Sequence, residues 1–237
     1  ETRGAAVAEN VAGHSQQGSR TMRIAYDVSV GRTARVSTPV LPKARAGGYS
    51  LAGTPRLYPG MKVTLRGSAG AAAGKASAKL IVRYVKPSED APEEIARSKS
   101  TRLSANKRFT LSLVVPDGTG HPVQDFGIEI VSDEKASGEI FVDSLSFSGK
   151  PSLTFPAQLM RAGREMPGWV MDADRTRGPF SDDREEVTHV GKDESRGVLV
   201  TGTTDWRDYT FGARVKIHLA DRGGILARYQ GLKRYIA

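Results

Sequence analysis

The chain has 237 residues, of which 38% are hydrophobic and 26% charged, a composition that suits one large or two ordinary globular domains. It contains no cysteine, which excludes disulfides, thiolate nucleophiles and cysteine-based zinc sites. No apolar run approaches the roughly 20 residues of a membrane-spanning helix, so no membrane partner is predicted. The absence of cysteine fits a cytoplasmic protein and leaves secretion open.

The net charge of +9 raises the question of a nucleic-acid partner. The 35 lysines and arginines are, however, scattered along the chain among 26 acidic residues rather than gathered into long tracts. No helix-turn-helix pattern or RNA-binding aromatic motif accompanies them. A well-solvated basic surface is therefore the preferred interpretation, and dedicated nucleic-acid binding is not predicted.

The first 20 residues are small, polar and rich in glycine and alanine. They contain no secretory apolar segment. We expect residues 1–20 to form a flexible N-terminal tail, and we expect the chain to begin within a longer protein.

The block 21–151 carries repeated strand signals separated by turn residues. In "RFTLSLVVP", for example, Phe109, Leu111 and Leu113 share one face, which is the period of two of a half-buried strand. Strands at this spacing, joined by Gly, Pro and Asp, indicate an antiparallel β-sandwich of jelly-roll type. A domain of this type resembles carbohydrate-binding modules. The predicted strands lie at 62–67, 78–85, 108–116, 126–131 and 138–149.

Helical periodicity is scarce. The stretch 88–100, "SEDAPEEIARSKS", has acidic residues early and basic residues late, which fits either one helical turn or a charged loop between strands.

The block 152–237 predicts a second, incomplete sandwich. Residues 209–219 alternate between apolar and polar almost without a fault, a pattern typical of a long strand. A turn at 221–224 and a returning strand at 225–230 follow. The sequence therefore predicts an all-β protein of two tandem antiparallel β-sandwiches, the second of them truncated.

Several segments resemble the region behind the catalytic domain in a group of bacterial ADP-ribosylglycohydrolase family proteins. They are "ARVSTPVLPKARAGGYSLAGTPRLYPGMKV", "VPDGTGHPVQDFGIEI" and "GEIFVDSLSFSGKP". The closing run "DWRDYTFGARVKIHLADRGGILARYQGLKRY" is similar to laminin-G or concanavalin-like sandwiches, in which W-x-D-Y precedes a long strand. The resemblance covers most of 26–237.

The hydrolase domain of that family is all-helical and holds two magnesium ions with acidic clusters, and nothing in this chain corresponds to it. The resemblance therefore implies a non-catalytic accessory region, with no catalytic residue carried over. It also implies two partners: a carbohydrate or ADP-ribose-like ligand, and a helical hydrolase domain of the same parent protein.

The candidate ligand-binding residues lie in the closing run. The indole of Trp206 either stacks on a sugar ring or fills the sandwich core. A second set of candidates carries planar polar groups: Arg228, Gln230 and Arg234, which lie beside Tyr235. These side chains either donate paired hydrogen bonds to sugar hydroxyls or form a solvated sheet face with weak salt bridges. The resemblance would put them on or near the concave face of the complete fold.

Asp143 lies in "FVDSLSF", inside an otherwise apolar strand. It is either a ligand of a structural calcium or, as we prefer, a carboxylate hydrogen-bonded to backbone. The four histidines show no ligand spacing, and no nucleophile elbow is present.

Three classes of function remain at this point. The preferred one is a binding module for carbohydrate or an ADP-ribose-like conjugate. The second is a small glycoside hydrolase or lyase, which would need two carboxylates about 5–10 Å apart across a cleft. The third is a purely structural interaction module.

Overall fold

The computed structural model describes most of the chain, and every regular element in the described part is a β-strand. The prediction of an all-β fold is confirmed. Within that part, no helix could span a lipid bilayer. The described residues are 2–3, 5–13, 18–28, 33–41, 56–86, 90–118, 120–155, 168–172, 175–177, 189–194, 196–218, 220–231 and 234–237.

Two antiparallel sheets form a β-sandwich from the N-terminal two thirds of the chain. The first sheet has the order β1 (Thr2–Arg3), β4 (Thr33–Pro39), β10 (Val123–Val131), β6 (Ser77–Tyr84) and β7 (Ile95–Arg97), and β8 (Thr101–Arg102) also pairs with β6. The second sheet has the order β2 (Ala5–Ala12), β3 (Arg20–Val28), β11 (Ala136–Ser148), β5 (Lys62–Ala69) and β9 (Arg108–Val114).

The core lies between the two sheets and follows from the alternation along each strand. Leu80 and Val82 on β6 face Val63 and Leu65 on β5, and all four are buried. Each fully buried aliphatic side chain contributes about 1.5–3 kcal/mol of transfer free energy. This alternation is the pattern from which the five strands were predicted. The bounds of each predicted strand lie within three residues of the bounds of an observed strand.

The flexible tail predicted for residues 1–20 is wrong over β1 and β2. β2 pairs with β3 along its whole length, from Ala5 opposite Asp27 to Ala12 opposite Arg20. The ladder pairs the backbone groups that β2 turns toward β3, and among its described side chains Ala6 is buried whereas Val7 is 60% exposed. A polar, alanine-rich composition therefore does not distinguish an edge strand from a disordered tail.

The described part of this stretch, residues 90–100, is a loop interrupted by a short strand, and residues 88–89 lie outside the described residues. Residues 90–94 are not helical, and Ile95–Arg97 pairs with β6 as β7. The helical alternative is wrong for these described residues.

A bulge interrupts β11 at Asp143. The partners on β5 step from Gly67 opposite Val142 to Arg66 opposite Ser144, which leaves Asp143 as the extra residue. Before the bulge the even-numbered side chains of β11 face the core, and after it the odd-numbered ones do.

The C-terminal part forms only short pairings among its described residues. β12 (Val170–Asp172) pairs with β15 (Val198–Val200), and β13 (Arg175–Arg177) pairs with β14 (His189–Gly191). The strand predicted over 209–219 is wrong for 209–218, which pair with no strand. Their apolar side chains, from Tyr209 to Ile217, are 40–54% exposed.

The returning strand predicted at 225–230 is reduced to one antiparallel bridge, between Ala227 and Ile236. A strand needs a neighbouring ladder, and the described residues here do not supply one. The second sandwich is therefore not formed by the described residues, and the domain boundary near residue 151 stays a prediction.

Candidate functional site

The outward face of the first sheet carries charged side chains that are almost completely buried. Asp125 and Glu129 on β10 point away from the core because Phe126 and Ile128 point into it. Yet Asp125 is only 3% exposed and Glu129 only 2%. Buried carboxylates require partners, and arginines from three neighbouring strands supply them. The face, called here the charged face, comprises Arg35, Arg83, Glu93, Arg97, Asp125 and Glu129.

Arg83 and Asp125 form a two-pronged ion pair. The Nε of Arg83 donates to Oδ1 of Asp125 at 2.7 Å, and its Nη2 donates to Oδ2 at 2.5 Å. The two residues are direct cross-strand partners on β6 and β10. This geometry fixes the plane of the guanidinium.

Glu129 is held by two arginines, one on each side of β10. Arg35 donates from Nε to Oε2 at 2.7 Å, and Arg97 donates from Nε to Oε1 at 2.9 Å. Burial by itself raises the pKa of a carboxyl, but here the hydrogen bonds and charges of Arg97 and Arg35 outweigh it, so the pKa of Glu129 is lowered. Glu129 is therefore an ionised acceptor.

Glu93 reaches over the same face from the loop before β7. Its carboxylate lies 3.3 Å from Nη1 of Arg83 and 3.9 Å from Nη1 of Arg35. It therefore links the two ion pairs, and its side chain is less buried than those of Asp125 and Glu129.

Gly127 lies midway between Asp125 and Glu129 on β10. A Cβ built there would overlap the backbone of Val36 and Ser37, so the position accepts only glycine. Its cross-strand partner Ile81 is fully buried although it too faces outward. The charged groups thus surround a small apolar patch formed by Gly127 and Ile81.

The charges of the six residues of the charged face cancel, and Lys79, the cross-strand partner of Glu129 on β6, adds one half-buried cation on the same side of the sheet. Three guanidinium groups oppose three carboxylates in a fixed array of donors and acceptors. Such an array can bind a ligand that offers both hydroxyl donors and hydroxyl acceptors.

The sequence analysis missed all six of these residues. A signal was present, because Arg83, Asp125 and Glu129 occupy alternate positions in otherwise apolar strands. What the sequence does not display is that β4, β10, β6 and β7 are neighbours, which brings the opposite charges together.

The structure places Trp206 against the sandwich. Its ring centroid lies 4.7 Å from that of Tyr58 and 5.6 Å from that of Tyr209, both edge-on. The backbone N–H of Gly202 also donates to the hydroxyl of Tyr58 at 3.0 Å. These contacts correspond to the packing alternative for Trp206.

The other four predicted ligand residues lie close together around the bridge at Ala227. The backbone N–H of Gln230 donates to the carbonyl of Arg234 at 2.8 Å, and Tyr235 stacks on Tyr229 with centroids 6.2 Å apart. Arg228, Gln230 and Arg234 are exposed, and Nη1 of Arg196 donates to the Tyr235 hydroxyl. The cluster is far smaller than a sheet face, and it stays a candidate ligand surface.

The described residues around Asp143 do not form a metal-binding cluster. No group of three or more His, Cys, Asp or Glu side chains suited to a metal occurs in the described part of the chain. The calcium prediction therefore has no supporting ligand set there, and Asp143 is distinguished instead as the bulge residue of β11.

No family model matches this chain, and no curated protein matches it significantly. Among solved structures, the chain is similar to one described as a carbohydrate-binding module of the β-sandwich superfamily, with TM-score 0.47 and 16% identity over 62% of this chain. The chain spans only 56% of that structure.

Two family 22 modules are also similar. The CBM22-2 xylan-binding domain of Paenibacillus barcinonensis Xyn10C has TM-score 0.42 and 13% identity, over 63% of this chain and 91% of its own. The C-terminal family 22 module of Clostridium thermocellum Xyn10B has TM-score 0.43 and 10% identity, over 62% and 83%. Because all three TM-scores lie below 0.5, we base the proposals below on the residues of this chain.

Proposed function

We propose that this chain is a non-catalytic carbohydrate-binding module and that its ligand lies on the charged face of the first sheet. The observation that carries the proposal is an array of six paired charged side chains on an outward sheet face, of which Arg83, Asp125 and Glu129 are nearly buried. Charged groups placed there without a ligand role would be costly to desolvate, and apolar residues would pack as well.

The charge balance selects the class of ligand. The three arginines and three carboxylates sum to zero and Lys79 opposite Glu129 adds one positive charge, so an anion meets little net attraction on this face. A neutral sugar offers hydroxyls that accept from guanidinium N–H groups and donate to carboxylate oxygens. A neutral glycan therefore fits this face better than an ADP-ribose-like conjugate, whose phosphates are negative.

The electrostatics disfavour the enzymatic alternative. A glycosidase needs one carboxylic acid with a raised pKa to protonate the leaving group. The pKa of Glu129 is lowered instead, and Asp125 is held by two guanidinium hydrogen bonds. Along β10 these two residues are four positions apart, or about 13 Å. Glu93 and Asp125 bind the same guanidinium, so Arg83 rather than a substrate lies between their carboxylates. An ionised Glu129 is suited to accepting hydrogen bonds rather than to donating a proton.

The resemblance to the accessory region of ADP-ribosylglycohydrolase proteins adds a role for the parent protein. In this proposal the module holds a glycan-bearing target near a helical hydrolase domain in the cytoplasm. It is supported by the segments quoted above from the sequence, and it is separable from the neutral-glycan proposal.

Isothermal titration against neutral glycans (xylan, mannan, mixed-linkage β-glucan and starch) and against ADP-ribose tests the ligand. We expect micromolar to millimolar binding to at least one neutral glycan. In Arg97→Ala the affinity should fall about tenfold or more, because a charge-assisted hydrogen bond is lost while Arg35 still pairs with Glu129.

The matched control is Lys99→Ala, an exposed cation two residues away whose side chain takes part in none of the ion pairs among the described residues of this face. It should bind as the unaltered protein does. Binding of ADP-ribose alone would replace the neutral-glycan assignment with the anionic conjugate. Equal losses in Arg97→Ala and Lys99→Ala, or no binding of any probe, would contradict the proposed site.

A further inference from the structure

The second sheet carries a different kind of surface on its outward side. On β5 the side chains of Val63 and Leu65 enter the core, so Lys62, Thr64 and Arg66 point outward. The same alternation on β9 and on β11 beyond the bulge turns serine, threonine and arginine outward, together with Val114, which lies opposite Lys62 and is 59% exposed. The resulting surface, called here the hydroxyl face, comprises Lys62, Thr64, Arg66, Ser68, Arg108, Thr110, Ser112, Ser144, Ser146 and Ser148.

The register of the three strands arranges this face in rows. Thr64 lies between Ser112 on β9 and Ser146 on β11. In the next row, Arg66 lies between Thr110 and Ser144. Side chains in one row are separated by about 5 Å, and successive rows by about 7 Å.

Three cations run across the hydroxyl face. Lys62 and Arg66 are four residues apart on β5, which is about 13 Å. Arg108 lies on β9 opposite Ser68, on the diagonal from Arg66, at about 7–8 Å. Together they mark a line of roughly 20 Å, obtained by adding the two spacings.

These cations lack the compensation that the first sheet provides. Lys62, Arg66 and Arg108 take part in none of the ion pairs or side-chain hydrogen bonds among the described residues, whereas Arg35, Arg83 and Arg97 are each paired. The segments 62–69, 108–114 and 144–148 contain no Asp or Glu. The nearest acids along β11 are Asp143 at the bulge and Glu139, which is bound by Arg23.

The face is accessible and nearly flat. Its three cations are exposed, as are Thr110, Ser112, Ser146 and Ser148, and its other hydroxyls are half-buried. Its one aromatic neighbour, Phe141, is buried. The face can therefore offer hydroxyl groups and positive charge, but no exposed aromatic ring for stacking.

We propose that the hydroxyl face binds an extended acidic polysaccharide, one whose sugar rings bear carboxylate or sulfate groups. The line of three uncompensated cations attracts the acidic groups, and the flanking rows of hydroxyls pair with the ring hydroxyls. A nucleic acid fits less well, because single strands bind through aromatic stacking and duplexes through six or more phosphate contacts. The site is distinct from the charged face.

Affinity electrophoresis in gels containing polygalacturonate tests the proposal with the full chain. Fully methyl-esterified polygalacturonate is the neutral counterpart with the same backbone, and single-stranded DNA is the rival polyanion. We expect retardation by polygalacturonate that weakens as salt rises from 50 to 200 mM, and little retardation by the esterified polymer.

The triple variant Lys62→Gln, Arg66→Gln, Arg108→Gln should lose affinity about tenfold. The control triple Lys99→Gln, Arg214→Gln, Lys216→Gln removes the same charge from exposed positions elsewhere and should retain affinity within about twofold. Ser146→Lys adds a cation beside Thr64 and should tighten binding, a readout that does not depend on a loss.

Equal losses in both triple variants would overturn the proposal, because the net charge rather than the face would then bind the polymer. Retardation by the esterified polymer equal to that by the acid would also overturn it, as would stronger retardation by DNA. Arg97→Ala should leave polygalacturonate binding unchanged. The hydroxyl face and the charged face are therefore tested independently of each other.

Discussion

At the scale of single residues, the charged face depends on complete pairing. Arg83 and Asp125 are both nearly buried, and their two hydrogen bonds offset the cost of removing both charges from water. Such a pair adds little net stability by itself. Removal of one member of the pair lowers the free energy of unfolding strongly, because the remaining charge stays buried without its principal partner.

We therefore predict an asymmetric outcome for this pair. Asp125→Ala should lower the free energy of unfolding by about 3–5 kcal/mol, because the guanidinium of Arg83 loses its closest partner. The double variant Arg83→Met, Asp125→Leu should be considerably more stable than the single variant. Urea unfolding followed by fluorescence measures both, and a double variant less stable than Asp125→Ala would refute the pairing argument.

At the scale of elements, the bulge at Asp143 decides which side chains of β11 reach the core. Val142 faces inward before it, whereas Leu145 and Phe147 share the inward faces of Leu65 and Val63 after it. Phe147 then packs edge-on against Phe126 of the opposite sheet, with centroids 5.6 Å apart. If Asp143 were paired as a regular ladder residue instead of bulging out, the alternation would run on unbroken and serines would face the core.

Insertion of a residue after Ser144 should thus be far more damaging than loss of Asp143. Deletion of Asp143 joins Val142 to Ser144, so Leu145 and Phe147 keep Leu65 and Val63 as partners. An alanine inserted after Ser144 instead turns Leu145 and Phe147 outward, and we expect it to lower the free energy of unfolding by about 2 kcal/mol or more, since both side chains, each 40% exposed, lose their remaining burial. Thermal unfolding compares the two variants, and an insertion as stable as the deletion would show that the register of β11 does not place these side chains.

At the scale of the whole molecule, the C-terminal segment is joined to the sandwich by an aromatic cluster. Tyr58 is buried against Trp206, and Trp206 contacts Tyr209. Lys150 adds a hydrogen bond from its Nζ to the backbone carbonyl of Asp208 at 3.0 Å. The indole of Trp206, a candidate sugar-stacking ring, is thus part of the contact between this segment and the sandwich.

Trp206→Ala should loosen this contact without unfolding the sandwich. Two edge-on aromatic contacts are lost, so amide exchange at Gly202 and its neighbours should accelerate about tenfold, while the amides of β6 and β10 keep their protection. Phe211→Ala, which alters an exposed ring, is the control and should change neither. Accelerated exchange throughout β6 and β10 would instead make Trp206 part of the cooperative core.

The alternation of apolar and polar residues predicted the strands of residues 21–151 well, but it fails where a strand has no neighbouring strand to pair with. In β9 the side chains of Phe109 and Leu111 alternate with polar ones because one face of the strand is buried. This alternation is visible in the sequence. The same alternation at 209–218 predicted a strand that the described residues do not form. Alternation records an ability to lie in a sheet, and only neighbouring strands provide the hydrogen bonds.

The sequence by itself determined an all-β chain, the strands of the main sandwich and the absence of cysteine chemistry, because these depend on composition and on residues close together along the chain. Tertiary structure decided that residues 5–12 form an edge strand, that Trp206 packs against Tyr58, and that Arg35, Arg83 and Arg97 meet Asp125 and Glu129. Each of these outcomes joins residues that are far apart in sequence. Strand order sets those contacts, and no single segment encodes it.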